Sequence, residues 1–285
     1  MTNTGTGDIT SDLPYLIRLL DDKDPAVRPV VRERISEMGG DISHDLAALG
    51  IDIDLKVKKR LSRLLALGRR ETLRNEWLVP TCGAMALEDD WESFESILRQ
   101  LSDFLHDGIT LRPSLCDSLD LLVDEIHEDL HSPDANDLRQ WLFVEKRFTG
   151  VAKNADSVPN YDLCHVIDNR CGNPTSLACL FMLIGRRMGA QVDGCNYPGH
   201  FLARIMIDGN PHLVDCFHGG RDFDIEALIA AHPEISNRAR SAVDDNCHLG
   251  VVLLRYMTEM HHSLAQSGRE EDALLFKELA ETLNT

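Results

Sequence analysis

Apolar residues recur at helical spacing through the first half of the chain. Leu13, Leu16, Ile17, Leu19 and Leu20 form a first stripe that stops at Asp21-Asp22. Asp24-Pro25 predicts a helix start, because Asp caps free amides and Pro at the first helical position gives up an N–H that has no partner. Val27, Val30, Val31, Ile35 and Met38 continue as a second stripe, closed by Gly39-Gly40. Ile42, Leu46 and Leu49 follow, and Asp54 is expected to cap a helix carrying Leu55, Leu61, Leu64 and Leu65 and ending at Gly68. After a polar tail over 1–12, expected to be disordered, the stretch 13–70 therefore reads as two degenerate helical hairpins.

Residues 71–148 continue as helix. Positions 91, 94, 97, 98, 101 and 105 share one face, Leu115, Leu119, Leu122, Val123 and Ile126 another, and a third stripe runs from Pro133 to Val144. The pattern then changes. A polar connection over 149–160 leads to a short helix at 161–168. Asn173-Pro174 opens the most apolar helix of the chain, which Gly189 closes. Three strand-like runs come next, 191–197, 200–207 and 212–217, the last two joined by Asp208-Gly209, a pair suited to the positive φ angles of a tight hairpin turn. Helical patterns return at 225–231, 250–265 and 272–283. The fold class expected is α+β, mainly α, with a core over 149–224 carrying a small antiparallel sheet and a helical tail over 225–285.

Charge narrows the partners. With 29 Lys and Arg against 47 Asp and Glu, the formal charge is −18, which repels nucleic acid and anionic lipid over most of the surface, serves solubility and leaves room for a basic partner. No apolar run has the length of a membrane span, and the first residues lack a secretion signal, so a cytoplasmic location is expected. The eight cysteines show no Cys-x-x-Cys pair and are read mostly as packed free thiols.

The hairpin brings two chemical groups together. If Asp208 and Gly209 alone form the loop, Ile207 faces Asn210, Leu202 falls opposite Asp215, and His200 lies diagonally beside Asp215 on the same face. Met206 then pairs with Pro211 at a position that asks for no ladder hydrogen bond. A His held by a carboxylate keeps one tautomer and is supported when charged, as a general base requires, although such a pair also serves simply to tie two strands.

The string Cys171-Gly172-Asn173-Pro174-Thr175-Ser176-Leu177, then Arg186-Arg187-Met188-Gly189, Gly194 to Leu202, and Val214 to Gly220 resembles the SirB-like branch of the transglutaminase-like superfamily. The segment Leu16 to Arg28 resembles the HEAT-repeat family, whose helix pairs stack into binding surfaces. The first resemblance implies a papain-like core, a tetratricopeptide-like helical tail and a Cys–His–Asp triad whose Cys stands at the head of the central helix. His200 and Asp215 match the base and its orienting acid. The first turn of that helix holds no Cys, which leaves Cys171, just outside it, and Ser176, which could equally be a helix cap.

The function expected is thus a non-catalytic or weakly catalytic transglutaminase-like protein that binds and regulates another protein, with no cofactor and no metal assigned. The alternative is a hydrolase or acyl transferase acting on amide bonds, in which Cys171 or Ser176 attacks and His200 with Asp215 moves the proton. A zinc hydrolase is a further alternative, since His127-Glu128-Asp129-Leu130-His131 fits His-Glu-x-x-His, but the pattern stands near a helix end, before Ser132-Pro133, with no third ligand at a recognised spacing.

Overall fold

The computed structural model describes residues 9–77, 83–145, 147–231, 236–244 and 247–284; Cys82, one of the cysteines read as a packed thiol, lies outside them. The chain divides into two compact units, Met1–Trp77 with Phe104–Arg112, and Leu78–Asp103 with Pro113–Thr285.

In the first unit, helices α1 (Ile9–Leu19), α2 (Val27–Ser36), α3 (Ser43–Ala48) and α4 (Leu55–Glu76) bury much of the predicted stripes in one core, including Leu13, Leu16, Val31, Ile35, Leu61 and Leu65, whereas Leu19, Val30, Leu49 and Leu55 of those stripes are exposed. Residues 9–12, expected in a polar tail, are the first turn of α1. The Asp54 side chain accepts the Val57 amide at 2.8 Å, the cap that its position predicts. The expected stop at Gly68 is corrected, because α4 runs through it to Glu76. Gly68 is an approach point instead: a Cβ there would lie 2.4 Å from the Gly39 carbonyl carbon and oxygen. The absent side chain lets the 39–40 turn rest against the helix.

The second unit is the one that carries the hairpin. It contains α5 (Trp91–Leu105) up to Asp103, α6 (Leu115–Asp129) and α7 (Ala135–Arg139), the last continuing as a π-helical turn over Gln140–Val144. A two-stranded parallel ladder follows, with β1 (Thr149–Gly150) against β2 (Cys171–Gly172) and α8 (Leu163–Asn169) between them. Helix α9 (Pro174–Met188) is the centre of the unit, buried at every residue from Thr175 to Gly185. The apolar composition read from the sequence explains that position, since a helix that is hydrophobic all round is stable only when covered on all sides.

The sheet is antiparallel in the order β3 (Asp193–Cys195), β4 (Leu202–Ile207), β5 (Asn210–Asp215) and β6 (Arg221–Asp224). Ile207 pairs with Asn210 and Met206 with Pro211, so the turn is the two-residue Asp208-Gly209 loop, with φ of 50° and 82°. The fourth strand, β6, has no counterpart in the sequence expectation; its Arg-Asp-Phe-Asp composition hides it, and pairing along β5 is what holds it extended. The sheet packs on α7 and α9. Cys195, Leu202 and Leu213 cluster with Ile225 of α10 (Ile225–Ala231) and Val243 of α11 (Asn237–Asp244). The chain closes with the hairpin of α12 (Leu249–Gln266) and α13 (Glu270–Leu283). The molecule is thus α+β and mainly α, and no helix among the described residues is long and apolar enough to cross a membrane.

Candidate functional site

Asp215 ends β5, and the chain then turns through Cys216–Gly220 to start β6. Gly219 and Gly220 have φ of 80° and 68°, conformations that a side chain would strain, so the two glycines let the strand double back within a few residues. Arg139, itself buried, clamps this turn from α7 by donating to the Gly220 carbonyl at 2.6 Å and pairing with Asp222 at 3.0 Å. Sequence reasoning passed over Arg139, because nothing in its own neighbourhood announces a partner 81 residues away.

His200 precedes β4 and enters from the other side of the hairpin. Its Nε2 lies 2.9 Å from Asp215 Oδ1. Asp215 Oδ1 also accepts the backbone N–H of His218 at 3.0 Å, and Oδ2 lies 2.8 Å from His218 Nδ1. A carboxylate has no proton to give, so both imidazoles are the donors. Burial pushes the Asp215 carboxyl up, but the hydrogen bonds from the His200 ring, the His218 ring and the His218 amide outweigh it and bring it to about 2. The His200 and His218 rings lie 5.5 Å apart at 29°, and Phe217 stands edge-on to both. His218, within the Val214 to Gly220 stretch, has no role in the sequence reading. The available signal was its position three residues after Asp215 before two glycines, a turn that folds a side chain back on its own acceptor.

The head of α9 presents a closed face. The Asn173 side chain accepts the Ser176 amide at 2.7 Å while Ser176 Oγ accepts the Asn173 amide at 3.0 Å, a reciprocal capping box. Ser176 has no exposed surface. Thr175 is buried too and donates its hydroxyl to Glu259 at 2.6 Å. Cys171 lies on β2, partly exposed, opposite Thr149. The ladder touches the turn, for the Gly150 N–H donates to the Phe217 carbonyl at 3.2 Å. Cys171 is therefore brought to the neighbourhood of the turn, but no cysteine sulfur among the described residues joins His200, Asp215 and His218 in their cluster. Cys179 is fully buried, and that burial pushes its thiol well up.

The His-Glu-x-x-His arrangement is not formed. Helix α6 ends at Asp129, and Leu130 is extended at φ −124°, ψ 135°, so His131 does not stand one helical turn beyond His127. Pro133 and the positive φ of Ser132 (51°) are the local reason. His200, Asp215 and His218 are the residues of the described chain whose possible ligand atoms all fall within 4.8 Å of one another.

Residues 114–250 match the sequence model of the transglutaminase-like superfamily and form a domain of that superfamily. Over 142 residues, 48% of this chain, it is 30% identical to a UPF0162 protein of Xylella fastidiosa strain Temecula1, and equally so to the UPF0162 protein of strain 9a5c. The chain spans about half the length of these curated relatives, 50% in each case. It is also 23% identical over 133 residues, 47% of this chain, to F-box only protein 21 of Pongo abelii, of which it covers 21%. No solved structure matches the chain significantly.

Proposed function

We propose that the protein is a transglutaminase-like protein-binding and regulatory module with little or no turnover of its own. The observation that carries this reading is the head of α9. A triad of this kind needs a nucleophile on the first helical turn, within reach of the base. Here Pro174 has no nucleophilic group, the Thr175 hydroxyl is engaged by Glu259, and the Ser176 hydroxyl is buried inside the capping box. The His200–Asp215 pair is then a base with nothing to deprotonate on that turn.

The finer parts of the proposal are membership of the SirB-like branch and HEAT-like repeats over 13–70 that supply an interaction surface. In support, Arg32, Lys56, Lys59, Arg60 and Arg63 line a recess of about 440 Å³, a concentration of positive charge only partly offset by Asp21, which pairs with Lys56 and Arg60, in a chain whose formal charge is −18. An acidic segment of a protein partner suits it. The overall acidity disfavours nucleic acid and an anionic membrane as partners, and the setting proposed is cytoplasmic.

The competing enzyme uses Cys171, whose partial exposure near the Phe217 turn is the point in its favour. The two are separated by incubating the purified protein and His200→Ala with peptide amide and thioester substrates and with a thiol-directed reagent. The expected result is no turnover above the variant and Cys171 labelling at the same rate in both. Turnover that disappears in His200→Ala together with His200-dependent labelling of Cys171 overturns the proposal.

A further inference from the structure

We propose that His200, Asp215 and His218 form a binding site for one divalent transition-metal ion of the Zn²⁺ class. This goes beyond the protein-binding reading and does not rest on it.

A base-orienting pair needs one histidine and one carboxylate. Here a second imidazole is directed at the same carboxylate, through Nδ1 at 2.8 Å, beside the first at 2.9 Å. Two imidazole nitrogens and a carboxylate oxygen within 4.8 Å of one another are a donor set suited to Zn²⁺ and its neighbours, and three protein ligands leave a further coordination position open. Ligands bound at 2.0–2.1 Å in a tetrahedron lie roughly 3.3 Å apart, so admitting an ion means opening the two His–Asp215 contacts by about half an ångström and setting the two imidazole nitrogens, which lie within 4.8 Å of each other, at the same spacing.

The surroundings permit that small opening. His218, on the turn, has 59% of its side chain exposed, which gives an ion a path in, whereas Asp215 retains only 13%. The His218 amide holds Asp215 Oδ1 at 3.0 Å, and this outer hydrogen bond fixes the carboxylate while Oδ2 turns to the metal. Phe217 supports both rings edge-on. Binding balances without a redox partner. Each neutral imidazole moves its proton to its other nitrogen, freeing Nε2 of His200 and Nδ1 of His218 as lone-pair donors, and the carboxylate is already ionised. His212, beside Asp222 at 3.2 Å and Asp224 at 3.8 Å, is a further histidine in an acidic setting on the same sheet and serves as the internal control.

The test is titration of chelator-treated full-length protein with ZnCl₂ by calorimetry and with CoCl₂ by visible absorption. One equivalent is expected to bind, with affinity falling at least about tenfold in His200→Ala and in His218→Ala and unchanged in His212→Ala. Far-UV circular dichroism of the metal-free variants verifies that they are folded, and His218→Gln replaces His218→Ala if it is not. Absence of saturable binding to the parent protein overturns the proposal, as does affinity that survives loss of His200 and of His218. Partner capture is read separately, so failure of either proposal leaves the other measurable.

Discussion

His200 lies outside strand β4, yet its Nε2 is 2.9 Å from the Oδ1 of Asp215, which closes β5. The tight Asp208-Gly209 turn makes this possible. It fixes the register at Ile207 opposite Asn210, and everything further from the turn inherits that alignment. An insertion of one residue in the loop would move Asp215 to the other face of the sheet.

Asp215 accepts hydrogen bonds from two rings and an amide, so replacing it strands more than one donor. Asp215→Ala is expected to lower stability by about 2 kcal/mol. His218→Ala removes a largely exposed ring and should change stability by no more than about 0.5 kcal/mol. Urea unfolding of both variants provides the comparison, and equal losses would show that the carboxylate is not the centre of the cluster.

Gly68 tests packing against propensity. In an exposed helix interior Gly→Ala gains about 1 kcal/mol. At this position the new methyl would sit 2.4 Å from the Gly39 backbone, and overpacking of that kind costs about 1–3 kcal/mol. The expected outcome for Gly68→Ala is therefore net destabilisation in thermal or urea unfolding. A more stable variant would mean that the 39–40 turn yields easily.

Thiol accessibility gives a third expectation. Among the cysteines of the described residues, Cys164, Cys179, Cys195 and Cys216 are buried. Burial and its Glu95 neighbour push the Cys116 thiol up, and burial pushes Cys247 up to about 12. Cys171, partly exposed on a short ladder, should be the first of these described cysteines to take up iodoacetamide under native conditions, as followed by peptide mass spectrometry. Earlier labelling of Cys179 or Cys216 would indicate that the central helix opens.

The first unit should weaken in acid. Burial raises the Asp41 carboxyl, but hydrogen bonds from His106 and Ser43 outweigh it and leave it lowered; for Asp107, burial is outweighed by the amides of Thr110 and Ile109 and the Thr110 hydroxyl. A carboxylate lowered in the folded state stabilises above its unfolded value, near 4 for Asp, and loses that contribution as pH falls through it toward the folded value. The midpoint of thermal unfolding is expected to drop below pH about 4, and less steeply in the Asp41→Asn, Asp107→Asn double variant. Identical pH profiles for parent and variant would remove these two carboxyls as the cause.

By itself the sequence determined the elements with strong local signals. The stripe of Trp91–Leu105 marks α5, Asp54 marks the cap of α4, the unbroken apolar run after Asn173-Pro174 marks the buried helix, and Asp208-Gly209 sets the hairpin register that unites His200 with Asp215. These are decided within a few residues, by periodicity, capping and allowed φ. Only the tertiary structure decided that α4 continues through Gly68 and that the polar segment Arg221–Asp224 becomes a strand. It also brought Arg139 to Gly220. Each depends on what packs alongside, a backbone seated against a glycine or an extended neighbour offering a ladder, and distant contacts of that kind leave little trace in the local pattern of the chain.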